Sequence, residues 1–244
     1  MMATMIRVEP ALVVAVAPHG EHAVVARFLS SDQGLVAAYV QGGRGRKLRP
    51  VLQLGNRVAL DLVTKTPGQL AFATVHPLGP NLALLHGPAA MALVDYLASL
   101  ATACLPEGES QPRLFPMFDA LFGAAGAGVA EPGPALVRLE LALLAELGIG
   151  LDLASCAATG ATSDLAYVSP KSRQAVSRGA GLPWAARLLP LPGFLLGQGE
   201  ADAAATRDGL ALTGHFLGRD VLQGSTMAKR CWTARERLLG LLLR

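Results

Sequence analysis

The first eighty residues consist of short segments rich in valine and leucine, separated by turn residues. Turns such as Pro18-His19-Gly20 and Thr66-Pro67-Gly68 recur about every ten residues, which is typical of strands in a small closed barrel. The predicted strands are Ala11–Ala17, His22–Leu29, Leu35–Val40, Arg57–Thr64 and Gln69–Val75. Because no helical segment lies between these five strands, the pattern predicts an OB-fold.

A helical period replaces the strand pattern after residue 80. The strongest segment opens at Pro134, carries leucines on one face and stops before Gly148. Helices are predicted at Ala89–Cys104, Leu114–Leu121, Pro134–Leu147, Ala201–Leu217 and Met227–Leu243.

Residues 149–200 interrupt the helical pattern with many Gly, Pro and Ser residues. The segments Ala166–Ser169 and Ala175–Ser177 could form a hairpin there, or the region could consist of irregular loops. The expected fold class is therefore α+β. A five-stranded OB-fold barrel in residues 1–80 is followed by a mainly α-helical domain in residues 81–244 that contains this irregular insertion.

Composition excludes several classes of protein. Apolar residues make up 52% of the chain and charged residues 16%, so the chain has the surface to build a core and is not a disordered protein. The most apolar stretch, Ala135–Leu151, is interrupted by charged residues and does not predict a membrane span. Because Met1–Pro10 resembles neither a secretory signal nor a transit peptide, we expect a soluble, cytoplasmic protein.

Cysteine usage and charge narrow the choice of partner. Cys104, Cys156 and Cys231 are far apart and form no Cys-x-x-Cys pair, so a structural metal is not expected. The net charge is +4 over residues 1–80, −5 over residues 81–150 and +4 over residues 151–244. Two basic ends around an acidic middle make a polyanion the first partner to test.

The segment from Gln41 to Pro50 is the most informative part of the sequence. It places four cations in a glycine-rich turn between two predicted strands: Arg44, Arg46, Lys47 and Arg49. Such a turn can follow successive phosphates of a nucleic acid, or it can be a solvated basic turn without a partner. Its position on a predicted OB-fold favours nucleic acid.

Aromatic residues and histidines add little to this hypothesis. Phe28, Tyr39 and Phe72 are the aromatic residues of the first eighty positions, and each is expected in the core. Binding should therefore depend on phosphate charge. His19 and His22 have the spacing of a metal pair, but no third ligand lies nearby, so a role in a turn or on the surface is expected.

Enzymatic alternatives rest on weak patterns. The chain lacks the nucleophile-elbow, P-loop, zinc-protease and dinucleotide-binding motifs. A hydrolase or transferase could use Cys156 with a distant histidine such as His215, or could use Asp152 and Asp164 as an acid–base pair. A buried structural cysteine and acids that stabilise turns are the simpler interpretations.

Several motifs together resemble the RecO family of bacterial recombination mediators. They are Val40-Gln-Gly-Gly-Arg-Gly-Arg-Lys47, Arg138-Leu-Glu-Leu-Ala-Leu-Leu144, Gly148-Ile-Gly-Leu-Asp-Leu153 and Cys156-Ala-Ala-Thr-Gly160. Their order and separation extend the resemblance over essentially the whole chain. Some members carry a four-cysteine zinc site after the long helix, but this chain keeps only Cys156 and has Thr159 where a second ligand is expected. The resemblance therefore implies no zinc cofactor here.

The resemblance implies a DNA repair and homologous recombination mediator rather than an enzyme. Such a protein binds single- and double-stranded DNA, anneals complementary strands and acts with RecR to load RecA onto strands covered by single-strand-binding protein. The basic turn then matches a DNA-contact position. No catalytic residue and no cofactor are implied.

Two further groups of residues are candidate sites. Near Trp232, the last predicted helix carries a cluster of cations that either extends the DNA path or forms a solvated face: Lys229, Arg230, Arg235 and Arg237. Arg138 has no acidic residue four positions away on its own helix. It either pairs with an acid of another helix, such as Asp95 or Asp119, or binds the acidic carboxy-terminal tail of single-strand-binding protein, as the resemblance implies.

Overall fold

The computed structural model describes residues 4–64, 69–79, 87–127 and 131–243. Its amino-terminal part is a closed barrel of five strands: β1 (Thr4–His19), β2 (Ala23–Ser30), β3 (Gly34–Val40), β4 (Arg57–Thr64) and β5 (Ala71–Pro77). The strand order is β1-β2-β3-β5-β4, and only the β3–β5 pair is parallel among the described strands of the barrel. The predicted five-stranded, OB-like barrel is confirmed, while the predicted turn Thr66-Pro67-Gly68 lies outside the described residues.

The barrel closes because β1, the first strand in this order, also pairs with β4, the last one. The first half of β1 pairs with β4, beginning with Thr4 opposite Thr64, and its second half pairs with β2 and ends with His19 opposite Ala23. It begins earlier than the predicted Ala11–Ala17. The hydrophobic pattern missed this first half because buried and exposed positions do not alternate regularly there.

Apolar side chains from all five strands fill the barrel. Leu52, from the loop between β3 and β4, joins them. The core consists of small and medium residues around one large ring: Val8, Ala11, Val13, Val24, Ala26, Phe28, Ala38, Val40, Leu52, Val58, Leu60, Leu62, Ala73 and Val75. Burial of this apolar surface stabilises the barrel, which carries the connecting loops.

Five of the helices correspond to predicted segments, whereas the short helix at Arg178–Gly181 was not predicted. The helices are α1 (Pro88–Cys104), α2 (Phe115–Gly126), α3 (Gly133–Glu146), α4 (Arg178–Gly181), α5 (Ala203–Phe216) and α6 (Thr226–Leu242). Helix α2 continues past its predicted end at Leu121 because Phe122 and Ala125 extend its buried face. Within the described ranges, no helix combines the length and the apolar character needed to cross a membrane.

The chain divides into two compact units. The first comprises Met1–Ala130 with Ser225–Leu241, and the second comprises Glu131–Gly224 with Leu242–Arg244. This division differs from the boundary predicted at residue 80. In the first unit, α1 packs against β1 and α6 is joined to α1 by an ion pair, so these helices belong with the barrel.

The second unit combines two packed helices with a small sheet. Helices α3 and α5 lie together, and Thr213 of α5 donates a hydrogen bond to the buried carboxylate of Glu140 in α3. The sheet has the order β7-β6-β8 and consists of β6 (Leu165–Val168), β7 (Ala175–Ser177) and β8 (Leu189–Pro190). Of the two alternatives for residues 149–200, the structure therefore contains the hairpin, formed by β6 and β7.

Candidate nucleic-acid interface

The loop that joins β3 to β4, residues 41–56, is a chain of turns, and we call it the basic loop. The amide of Gly45 donates to the Gly42 carbonyl at 2.8 Å, that of Arg49 to Gly45 at 3.0 Å, and that of Leu52 to Leu48 at 2.9 Å. Gly42 has a φ of 68°, a left-handed conformation that glycine adopts without strain. Repeated local hydrogen bonds therefore give the basic loop a defined shape.

Three contacts anchor the basic loop to the barrel. Leu52 lies in the barrel core, and the backbone of Gly55 and Asn56 pairs with Val13 of β1 at 2.8 and 3.0 Å. The Asn56 side chain then ties the loop to this pairing, because its Nδ2 donates to the carbonyls of Pro50 and Val51, both at 2.9 Å. Gly43 is buried, and a Cβ there would lie 2.6 Å from a methyl carbon of Val24. Glycine is thus needed at this position for close packing, and the anchor leaves the charged side chains free to face outwards.

The four cations of the basic loop are all exposed: Arg44, Arg46, Lys47 and Arg49. Arg44 also ties the loop to the β1–β2 turn, since its Nη1 donates to the Gly20 carbonyl at 2.9 Å and its amide donates to the His22 carbonyl at 3.2 Å. In the part of the chain that the structure describes, none of the four forms an ion pair. Their charges therefore remain available for an anion.

A cleft of the first unit brings together cations from separate parts of the chain. It has a volume of about 810 Å³ and is lined by Arg27 of β2, Arg44 and Arg49 of the basic loop, and Arg230 of α6. Asp95 of α1 also lines it, at 3.9 Å from the Arg230 guanidinium. Four arginines against Asp95 and Glu107, the ion-pair partner of Arg27, leave an excess of positive charge that makes this basic cleft a favourable place for a polyanion.

The cations of α6 have different environments. Lys229 and Arg230 are exposed, whereas Arg235 is only 3% exposed and its guanidinium lies 5.6 Å from the centre of the Trp232 ring. The burial of Arg235 disagrees with its predicted contact with DNA, because a phosphate cannot reach a guanidinium inside the protein. Arg230 lines the basic cleft, while Arg237 pairs with Asp95.

Arg27 was not identified by the sequence pattern. It lies between the buried residues Ala26 and Phe28, so its side chain points away from the barrel core, and its Nε donates to Glu107 at 3.1 Å. A search for runs of cations misses it because it stands alone in an apolar strand. Strand alternation could have placed it on the outer face.

Two aromatic residues lie on the barrel surface rather than in its core. Phe28 is buried as expected, but Phe72 is 43% exposed and Tyr39 is half-buried. The Tyr39 and Phe72 ring centres are 5.3 Å apart, and the His19 ring lies 5.6 Å from that of Tyr39. The expectation that all three aromatic residues lie in the core is therefore wrong for Tyr39 and Phe72.

Cys156 is buried in the second unit and accepts a hydrogen bond from the Ser177 amide at 3.2 Å. Hydrogen bonds from Ser177, and to a smaller extent from Thr159, lower the pKa of the Cys156 thiol to about 6. Among the described residues, no histidine contacts this thiol, and no group of three or more potential metal ligands occurs. Burial makes Cys156 a poor nucleophile for a substrate in solvent.

Asp152 and Asp164, the alternative acid–base pair, each have a structural contact: Asp152 with the local backbone and Asp164 with an arginine side chain. Asp152 accepts a hydrogen bond from the Ala154 amide at 3.1 Å, and Asp164 accepts one from Arg178 Nε at 3.2 Å. The Asp152 contact agrees with the simpler interpretation of an acid that stabilises a turn, whereas Asp164 forms an exposed ion pair.

Arg138 is exposed on α3, and its guanidinium carbon lies 5.2 Å from the centre of the Phe194 ring. Within the described ranges it forms no ion pair, and the acids suggested as alternative partners, Asp95 and Asp119, pair with other arginines. The exposed guanidinium suits a carboxylate ligand, and the Phe194 ring, only 6% exposed, supports the guanidinium from inside the protein.

Comparison with known proteins identifies the family. The amino-terminal model of recombination protein O matches residues 3–76, and the carboxy-terminal model matches residues 85–228. The chain belongs to the RecO family. The DNA repair protein RecO of Acidiphilium cryptum is 44% identical over 218 residues, which cover 87% of this chain and 86% of that protein. The corresponding protein of Cereibacter sphaeroides is 42% identical over 231 residues, which cover 93% of this chain and 93% of that protein. The one of Paracoccus denitrificans is 46% identical over 209 residues, which cover 85% of this chain and 84% of that protein.

Membership in the RecO family confirms the resemblance found in the sequence. It also places the chain among proteins of DNA repair and recombination. The basic loop and the basic cleft both lie in the unit that contains the OB-like barrel.

Proposed function

We propose that this RecO-family chain is a cytoplasmic recombination mediator that binds single- and double-stranded DNA through the basic loop and the basic cleft. The observation that carries the proposal is the convergence of Arg27, Arg44, Arg49 and Arg230 in one cleft. Phosphate contacts of this kind hold a strand without reading its sequence.

Annealing of complementary strands follows from the same arrangement. Cations that grip only phosphates neutralise the repulsion between two strands and leave the base edges free to pair. The chain then assists RecR in loading RecA. This function requires neither a cofactor nor a catalytic residue.

A second contact in the proposal is made with single-strand-binding protein. Arg138 receives the acidic, hydrophobic carboxy-terminal tail of that protein, with its exposed guanidinium on a carboxylate of the tail, while the buried ring of Phe194 holds the guanidinium in place. This contact lies in the second unit, so it can be altered separately from the basic cleft.

Salt titration tests the DNA contact. In a plot of log affinity for single strands against log salt concentration, the slope should become less steep when alanine replaces Arg44, Arg46, Lys47 and Arg49. The expected change in slope is roughly 3, at about 0.7 per lost phosphate contact. The matched control replaces four exposed cations of the second unit: Lys171, Arg178, Arg187 and Arg207. An unchanged slope in the folded loop variant would place the DNA elsewhere.

Peptide binding tests the second contact. The Arg138→Ala variant should bind a synthetic tail peptide of single-strand-binding protein more weakly and should keep its affinity for naked DNA. Arg207→Ala, which removes an exposed arginine of the same unit, is the control. Equal peptide affinity in a folded Arg138→Ala variant would limit Arg138 to its structural contact with Phe194.

A further inference from the structure

Three rings meet on the outer surface of the barrel, and we call them the ring cluster: His19 at the end of β1, Tyr39 on β3 and Phe72 on β5. Tyr39 stands edge-on to both neighbours, at interplanar angles of 85° and 67°. Its hydroxyl donates to Gln41 Oε1 at 2.9 Å, which fixes the orientation of its ring. Aromatic surface held in this way next to water is suited to another flat, apolar group.

The ring cluster continues the wall of the basic cleft. Ala17, Val25, Tyr39 and Phe72 stand opposite one another on β1, β2, β3 and β5, so they form one row across the barrel. Ala17 and Val25 line the basic cleft. Because neighbouring strands lie about 4.8 Å apart, the rings begin one strand beyond the cleft.

We propose that the ring cluster is a stacking platform for unpaired bases. A strand held by its phosphates in the basic cleft lays successive bases on Tyr39 and Phe72. This inference rests on the proposed DNA contact of the cleft and assigns the base-binding part of the same site. The occupant is single-stranded DNA because the arginines of the adjoining cleft favour a polyanion, and a base is the flat group that a polyanionic strand carries.

Stacking on the ring cluster gives a preference for single strands without a preference for sequence. Every base has a face that can stack on an aromatic ring, so the platform accepts all four bases. In a duplex the bases already stack on one another and cannot reach the rings. The basic cleft therefore attracts any DNA, whereas the ring cluster retains the strand whose bases are unpaired.

Two oligonucleotides with the same number of phosphates separate stacking from charge. The first carries thymine at every position, and the second carries abasic sugars. The wild-type protein should prefer the thymine oligonucleotide by about tenfold or more, as expected for at least one stacked base. The double variant Tyr39→Thr/Phe72→Thr should lose this preference and keep its affinity for the abasic strand. Threonine suits strands, so it should preserve the barrel.

Control variants make the result specific to the rings. Met5→Thr removes another exposed apolar side chain of the barrel, 66% exposed, and should keep the preference for thymine. Tyr39→Phe keeps the aromatic ring and should also keep the preference for thymine. If the double variant does not fold by circular dichroism, Phe72→Leu, which retains apolar bulk without a ring, replaces it and should reduce the preference.

Two results would overturn the platform: equal wild-type affinity for the two oligonucleotides, or an unchanged preference in the ring variants. If the wild type binds both strands equally and the basic-loop variant still lowers the salt slope, the platform alone fails. If the wild type binds neither strand, the proposed DNA contact fails with it.

Discussion

The two basic segments of the first unit use their cations differently. In the basic loop all four cations are exposed, because Leu52 and the backbone of Gly55 and Asn56 attach the loop to the barrel. On α6, Arg230 is exposed while Arg235 is buried. Helix α6 buries one stripe against its surroundings, and Arg235 lies on it together with Ala228, Cys231, Ala234 and Leu238.

This difference shows that a cluster of cations does not by itself define a binding surface. A loop can separate the residues that anchor it from the residues that it displays. A packed helix cannot, because the helical period assigns each residue to the buried or the exposed face. The following predictions test this contrast between the basic loop and α6.

The largest effect is expected for Arg235. Arg235→Ala should lower the free energy of unfolding by about 2 kcal/mol or more, because it removes a buried stem and the stacking of the guanidinium on Trp232. Denaturant titration measures the loss. The salt dependence of DNA binding should stay at the wild-type slope, and a lower slope would mean that Arg235 reaches phosphate after all.

The anchor of the basic loop should be nearly as sensitive. Asn56→Ala removes the side chain that donates to Pro50 and Val51, and should cost about 1–2 kcal/mol of stability. DNA affinity should also fall, since a less ordered loop must be ordered on binding. Thermal unfolding and gel shift measure the two effects.

Gln53→Ala is the control within the same loop, because the Gln53 side chain is exposed and donates only to the Arg49 carbonyl among the described contacts. It should change stability by about 0.5 kcal/mol or less. If the two variants behaved alike, Asn56 would not be the anchor.

A smaller effect is expected for Arg230, the exposed counterpart of Arg235. Its side chain is 75% exposed, so Arg230→Ala should leave stability within about 0.5 kcal/mol of wild type. The salt slope for single strands should decrease by about 0.7, the value for one phosphate contact. A slope equal to that of wild type would remove α6 from the DNA path.

Cys156 in the second unit is, like Arg235, a buried ionisable group, but its charged form is an anion. Its pKa is lowered from 9.0 to about 6, so the folded protein favours the thiolate. This stabilisation is absent below about pH 6, grows as the pH rises towards 9 and is complete above that value.

The stability advantage of the wild type over Cys156→Ser should therefore increase between pH 6 and pH 9, and DNA affinity should not change. Denaturant midpoints at several pH values measure this advantage. Parallel stability profiles for the two proteins would show that the thiolate does not contribute.

Local patterns in the sequence were enough to predict most of the fold. Segments rich in valine and leucine between regularly spaced turns predicted the five strands, and the helical period with Pro134 and Gly148 as end signals predicted α3. The run of glycines and cations in residues 41–50 marked the basic loop. These features depend on residues close together in the chain, so they can be read without the tertiary structure.

The sequence by itself determined the elements of the barrel, the main helices, the charge of the two basic segments and the resemblance to the RecO family. Only the tertiary structure placed Arg27 and Arg230 beside the basic loop, buried Arg235 and brought Tyr39 next to Phe72. The physical reason is that exposure and convergence depend on packing between distant segments. Tyr39 and Phe72 meet through the β3–β5 pairing, which joins strands that are not consecutive in the chain.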